Sequence, residues 1–287
     1  MAIELSVLLG REIHDQWIWT SQMDIESSSL LLSERLAPIT TSMGFLGTDL
    51  TFAAQEFETW HNEIGAQRNV CASGRQVSGS LGEVLRALLP LRISDSNRYL
   101  FIPTASKWTA YFDNGSRGTD PSAIGYLARR LKCRTIWIVA NPHTLQKTGV
   151  PRRGRQGALL LELHGPEDTD WLNLVREIRL HNDAGRWEFT QHGTPLPFED
   201  IAQYSAMRIR DRFPFDLFKH YLGEFGITPF DEGFYLPPGR EHAILVELTG
   251  SLPKAAKNVS LKRARRLNGI EDGLRIRGRL ISRKGCF

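Results

Sequence analysis

No apolar run in this chain of 287 residues approaches the roughly 18 to 20 needed to cross a bilayer, which argues against a membrane-spanning helix. Cysteine is scarce. Cys71, Cys133 and Cys286 are an odd number, far apart and without Cys-x-x-Cys spacing, so neither a disulfide framework nor a zinc site is expected, and reduced thiols in a cytoplasm fit better. The opening MAIELSVLLGREIHD has Glu4 ahead of a short apolar patch and Arg11 and Glu12 after it. A secretory leader needs a basic start and a longer apolar stretch, so export is not expected. The eight histidines are scattered, and none forms the closely spaced pair on one helix face that zinc enzymes use. There is no serine or cysteine in a nucleophile elbow, no glycine-rich phosphate loop and no internal repeat. These absences leave no reaction spelled out, and neither a cofactor nor a metal is expected.

What is there is the composition of a folded globular protein, 41% hydrophobic and 24% charged. The net charge of +4 is unevenly spread. Residues 251–287 hold eleven Lys and Arg against Glu271 and Asp272, a net +9, which leaves −5 on the rest. The reading is a mildly acidic body over 1–250 followed by a basic tail over 251–287. Within the body, 1–75 is weakly patterned and 76–250 carries the clear core.

Ser80 followed by Glu83 is a capping box opening a helix with Leu81, Val84, Leu85 and Leu88 on one face, ended by Pro90. Asp120-Pro121 opens another, with Ile124, Leu127, Ala128 and Leu131 inward. Helices are also expected over Phe198–Asp211, with Phe198, Ile201, Ala202 and Ile209 inward, and from Pro214 to a left-handed stop at Gly226. Strands are expected at Tyr99–Ile102, Trp108–Phe112, Cys133–Ala140, Ala158–Leu163 and Ala243–Leu248. Val175–Leu180 and Trp187–Thr190 read as a hairpin about the turn Asn182-Asp183-Ala184-Gly185. The order strand, helix, strand from Trp108 to Ala140 suits a βαβ crossover. In the weak region, Thr48–Ile64 reads as a helix with Phe52, Phe57, Trp60 and Ile64 at rough helical spacing, and Trp17–Trp19 and Leu30–Leu32 as strand fragments. In the tail, Val259–Leu267 reads as a helix capped by Ser260 with Leu261 and Leu267 inward, and Leu274–Ile281 as an alternating strand. The fold class is α+β, a mixed central sheet packed by several helices.

Two stretches rich in aromatics, charge and turn residues stand out, Lys107–Asp120 and Arg186–Tyr221. Such residues are interface anchors when exposed and core when buried. In the first, Asp113 and Asn114 shape a turn and Asp120 caps a helix. The same loop can present charge to a partner, so Tyr111, Asp113, Asn114, Arg117 and Asp120 form the candidate partner-binding set. Alternation puts Trp108 and Phe112 on one sheet face and Tyr111 on the other, with Tyr111 the more exposed. Asp168-Thr169-Asp170 after a strand is either an exposed acidic turn or, with His164, the metal-holding turn of a transferase or hydrolase. The basic tail could neutralise phosphates, although Phe287 is its one aromatic for base stacking, and nucleic acid is not the expected partner.

The combination PTASKWTAYFDNGSRGTD (Pro103 to Asp120), NDAGRWEFTQHGTPLPFEDIAQY (Asn182 to Tyr204) and RIRDRF (Arg208 to Phe213) resembles a bacterial family encoded beside Rhs-type and related polymorphic toxin genes and interpreted as immunity proteins. The resemblance covers roughly residues 80 to 250. It implies a non-enzymatic, cytoplasmic protein that binds a cognate toxin domain and neutralises it stoichiometrically. It carries over no catalytic residue.

Overall fold

The computed structural model describes residues 25–146, 153–169, 171, 173–251 and 257–270. Nine strands form one central sheet: β1 (Ser42–Leu46), β2 (Val70–Ser78), β4 (Arg98–Pro103), β5 (Thr109–Asp113), β6 (Thr135–Asn141), β7 (Ala158–His164), β8 (Leu174–Asp183), β9 (Arg186–Gly193) and β10 (His242–Gly250). Their order is β2-β10-β4-β5-β1-β6-β7-β8-β9, and each neighbouring pair is antiparallel. A second, two-stranded sheet joins β3 (Leu91–Ile93) to β11 (Lys257–Val259). The helices are α1 (Leu50–Gly65), α2 (Leu81–Arg86), α3 (Ser122–Arg130), α4 (Phe215–Glu224) and α5 (Leu261–Leu267). The protein is α+β, a central sheet packed by helices.

Strand alternation divides the core between the two sheet faces. Ala110, Phe112, Ile136, Ile138, Leu161 and Leu163 face one cluster, which α2, α4 and the buried Ala264 of α5 complete. Phe101, Tyr111, Leu46 and Val246 face the other, covered by α1 and α3. Trp108 and Phe112 thus share one face and Tyr111 the opposite one, as alternation requires. Tyr111 is fully buried, however, against the expectation that it reaches solvent. Its face is roofed by α1 and α3, and its ring packs on Phe57, Phe101 and Tyr99.

The expected helix starts are present. Ser80 and Glu83 close a reciprocal capping box on α2, and the Asp120 carboxylate accepts from the Ser122 amide at the head of α3. After α4, Gly226 takes φ +72, and Ile227 N–H returns to the Leu222 carbonyl. The hairpin turn places Ala184 and Gly185 at φ 50 and 100, with the Asn182 side-chain Oδ1 accepting from the Gly185 amide. The crossover is also there: β5 and β6 both pair antiparallel with β1, so they run the same way with β1 between them and α3 as the link.

Other expectations are corrected. Phe198–Asp211 is not a helix; it holds two 3-10 turns, Gln203–Ser205 and Ile209–Arg212, and exposes the Ile201 and Ile209 that a helical stripe would bury. Leu30–Leu32 is not a strand but part of a 3-10 region in which Leu32, Ser33 and Glu34 all have positive φ. That turn is held by Glu34, whose buried carboxylate pairs with Arg155 and accepts from Ser27. In α1 the phase differs: Leu50, Ala53, Ala54, Phe57 and His61 are buried, while Phe52 and Ile64 are exposed. Trp17–Trp19 and Leu274–Ile281 lie outside the described residues.

The segment beyond residue 250 packs on the body where it is described. Val259 pairs with Leu91, Ala264 is fully buried, and Arg265 donates to the backbone carbonyls of Glu34 and Ala37. Ser260 caps α5 as expected, but Leu267 is exposed and Ala264 takes the inward position. At the opposite sheet edge, the α1 side chains Asn62 and Glu58 bond the outward backbone groups of Ala72 and Gly74 on β2, which blunts an otherwise open strand.

Candidate partner-binding surface

Between β9 and α4 the chain runs for about twenty residues without an α-helix, an unusually long irregular connection for a compact domain. Pro195 and Pro197 at its start remove backbone donors and favour extended backbone, so neither ladder nor helix continues through them. Glu199 then turns inward and meets Arg176 of β8, both side chains fully buried. The guanidinium is satisfied at all five donors: Nε and Nη2 to Glu199 at 2.8 and 2.6 Å, Nη2 also to Gln191 Oε1, and Nη1 to the carbonyls of His192 and Gly193. Burial alone would lower the Arg176 pKa, but the bonds and charge of Glu199 outweigh it and hold the group above its ordinary value.

The network continues into α4. Tyr204 donates its hydroxyl to Glu199 at 2.8 Å, and the Tyr221 hydroxyl accepts from the Asp200 amide at 2.7 Å and lies 3.2 Å from that of Tyr204. Burial, first among the causes, pushes the Tyr221 hydroxyl up to about 12 and raises that of Tyr204 as well, so both remain protonated donors. Further out, Gln203 Nε2 donates to the Asp211 carbonyl and Arg212 Nε to the Ala206 carbonyl, closing the loop tip on itself. The result is an irregular segment fastened from beneath. Its tip exposes Met207 at 97%, with Ile201 at 45% and Ile209 at 37%. Arg208 and Arg210 are exposed between and beside them. Met and Arg are enriched at protein interfaces, and exposed apolar side chains on a segment tied to a rigid base require little ordering on binding.

The set expected from the sequence is divided by the structure. Asp113 is buried, its carboxylate accepting from the amides of Gly115 and Asp120 and the hydroxyl of Ser96. Burial, partly offset by these bonds, raises its pKa to about 6. Asn114 is buried beside it, accepting from the amides of Asn97 and Arg98 and donating to the Pro90 carbonyl and Asn97 Oδ1. With Tyr111, these two have no outward surface to offer a partner. Arg117 and Asp120 are exposed, and Asp120 also caps α3. Ile201 and Ile209 were missed because their spacing imitates the inner stripe of a helix, and Met207 was not singled out; the Pro-rich entry at Pro195 and Pro197 was the available signal against that helix.

The acidic turn gathers no cluster. Asp168 is well exposed and ion-paired with Arg129 at 3.2 Å, while His164 is buried with Nε2 3.4 Å from Glu162. Asp170 lies outside the described residues. Among the described residues no group of three or more His, Cys, Asp or Glu could hold a metal ion, and no helix is long and apolar enough to cross a membrane. Lys257, Lys262, Arg263 and Arg266 stand exposed around α5. No protein-family model matches the chain, and neither the curated proteins nor the solved structures contain a match to it.

Proposed function

We propose that this is an immunity-type protein that binds a cognate bacterial toxin domain in the cytoplasm of the producing cell and neutralises it without catalysis. The observation that carries the reading is the display of Ile201, Met207 and Ile209, interleaved with Arg208 and Arg210, on a segment fixed by a buried ion pair. The segment overlaps two of the three stretches that resemble the immunity family, with Met207 between them. Apolar and arginine anchors held in advance of binding are the features that concentrate affinity in a few residues. The net negative body would steer a basic toxin, while the tip of the display segment, with Arg208 and Arg210, suits an acidic contact on that toxin.

The test is co-expression with the C-terminal domain of a toxin encoded beside this gene. The wild-type chain should restore growth, and the double variant Ile201→Asp, Met207→Asp should not, with a melting temperature close to the wild type because Met207 is almost wholly and Ile201 nearly half exposed. Absence of protection by the wild type, or full protection by the double variant, would overturn the reading or its placement respectively.

A further inference from the structure

At the end of the sheet remote in sequence from the display segment, three separate stretches of chain meet around a cleft of about 440 Å³. They are the β1–α1 connection with Thr48, Asp49 and Thr51, the β4–β5 connection with Lys107 and Trp108, and the start of β10 with Arg240 and His242. The volume lies in the range of sites that take a small metabolite.

The polar groups in the wall divide into those already engaged and those left over. Asp49 Oδ1 accepts from the amides of Thr51 and Phe52, so the start of α1 is capped by its own side chain. Thr109 donates its hydroxyl to the Thr48 carbonyl, and Ser106 is bonded to Thr104. Trp108 is buried with its indole N–H on the Phe225 carbonyl, which fixes an apolar wall. What remains is the second Asp49 oxygen, the hydroxyls of Thr48 and Thr51, the His242 ring and two cations. Arg240 spends one Nη2 donor on the Thr104 carbonyl at 2.8 Å, which holds the guanidinium at the cleft and leaves its other donors available. The Lys107 ammonium stands 6.0 Å from the Trp108 ring centroid. Neither cation has a carboxylate within ion-pair distance among the described residues, and together they outnumber Asp49.

We propose that this cleft binds a small phosphorylated molecule, with Lys107 and Arg240 on the phosphate and the hydroxyls of Thr48 and Thr51 and the free oxygen of Asp49 on hydroxyl groups of the remainder. A guanidinium with several donors and a point-charge ammonium complement a dianionic tetrahedral group. One carboxylate in a cationic wall suits a ligand that also bears hydroxyl donors. The site is independent of the toxin-binding reading.

The experiment is calorimetric titration of the full-length protein with ribose 5-phosphate, inorganic phosphate, citrate and ribose, at low salt. Ribose 5-phosphate should bind saturably and more tightly than phosphate, and ribose should not bind. Lys107→Ala and Arg240→Ala should each weaken the phosphate ester by about tenfold. Lys107→Ala should leave the thermal melt unchanged because its side chain is exposed, Arg240→Ala should lower it slightly because the buried Thr104 carbonyl loses its donor, and Lys262→Ala on α5 should bind as the wild type does. No saturable binding of ribose 5-phosphate, binding that survives the double variant Lys107→Ala, Arg240→Ala, or tighter binding of citrate than of either phosphate would overturn the proposal.

Discussion

Asp113 shows how a turn residue becomes a pH-sensitive one. Its pKa of about 6 lies above the ordinary 3.8, because burial of the carboxylate outweighs three hydrogen bonds. Between those values the native state holds a proton that the unfolded chain has released. The contribution of this group is therefore greatest below about pH 4 and is lost as pH rises toward 6, by about 3 kcal/mol at roughly 1.4 kcal/mol per pKa unit. Denaturation of wild type and Asp113→Asn across pH 4 to 6 should give a stability difference that shifts against the wild type as pH rises; a constant difference would reject the raised pKa. Arg176 and Glu199 pose the opposite case, a charge pair satisfied in full. Removing one partner, as in Arg176→Met, leaves a carboxylate buried alone and should cost about 3–5 kcal/mol in urea denaturation. The double variant Arg176→Met, Glu199→Leu should recover much of that loss, since no charge is then left without a partner. From the sequence, Asp113 and Asn114 were legible as turn formers, because that chemistry is local. Their burial was not, because it depends on β3, β4 and the Pro90 carbonyl, which reach them only in the folded chain.

At the scale of elements, what could be read was whatever announces itself within a few residues. The Ser80–Glu83 box, Asp120-Pro121, Pro214 with Gly226, and the Asn182–Gly185 turn each carry their own hydrogen-bond logic, and each sits where it was expected. The strands missed were those lacking a strong apolar signal. β1 is five residues with Gly44 at its centre, where a Cβ would meet the Ile124 side chain at 2.5 Å, so the glycine marks close approach of α3 rather than a loop. β2 is an edge strand, largely exposed and polar, with its pairing supplied by β10 about 170 residues later. Phe198–Asp211 failed for the opposite reason: its spacing imitated a helix while Glu199 was committed to Arg176. The apolar centre was secure throughout. Ile138 of β6 is fully buried and flanked by β1 and β7, so Ile138→Ala should cost about 2–5 kcal/mol with no change in fold. A loss near zero in denaturant titration would show that β6 is not central to the core.

For the molecule as a whole, the sequence set a basic tail apart from an acidic body, and charge alone drew that line near residue 250. Packing draws it elsewhere. β11 covers β3, Ala264 enters the main core, and the Arg265 guanidinium ties α5 to the carbonyls of Glu34 and Ala37. Those carbonyls lie at the end of the left-handed turn Leu32–Glu34 and just after it, so α5 braces the one region among the described residues where three successive side-chain-bearing residues hold positive φ. A chain ending at residue 250 should therefore lose stability well beyond the removal of a solvated tail, since it uncovers Leu91, frees the turn and leaves buried carbonyls without donors. A chain ending at Ile270 keeps every one of these contacts and should melt well above the chain ending at residue 250. Equal melting temperatures for the 250 and 270 truncations would show that α5 adds nothing to the body. The same packing dictates how the positive surface must be tested for contact with nucleic acid or an acidic partner. Deleting the tail would confound lost charge with lost folding, whereas replacing the exposed Lys262, Arg263 and Arg266 by alanine removes charge alone. If that surface meets phosphates, the triple variant should weaken binding and flatten its salt dependence by about two to three counterions, with the melting temperature held.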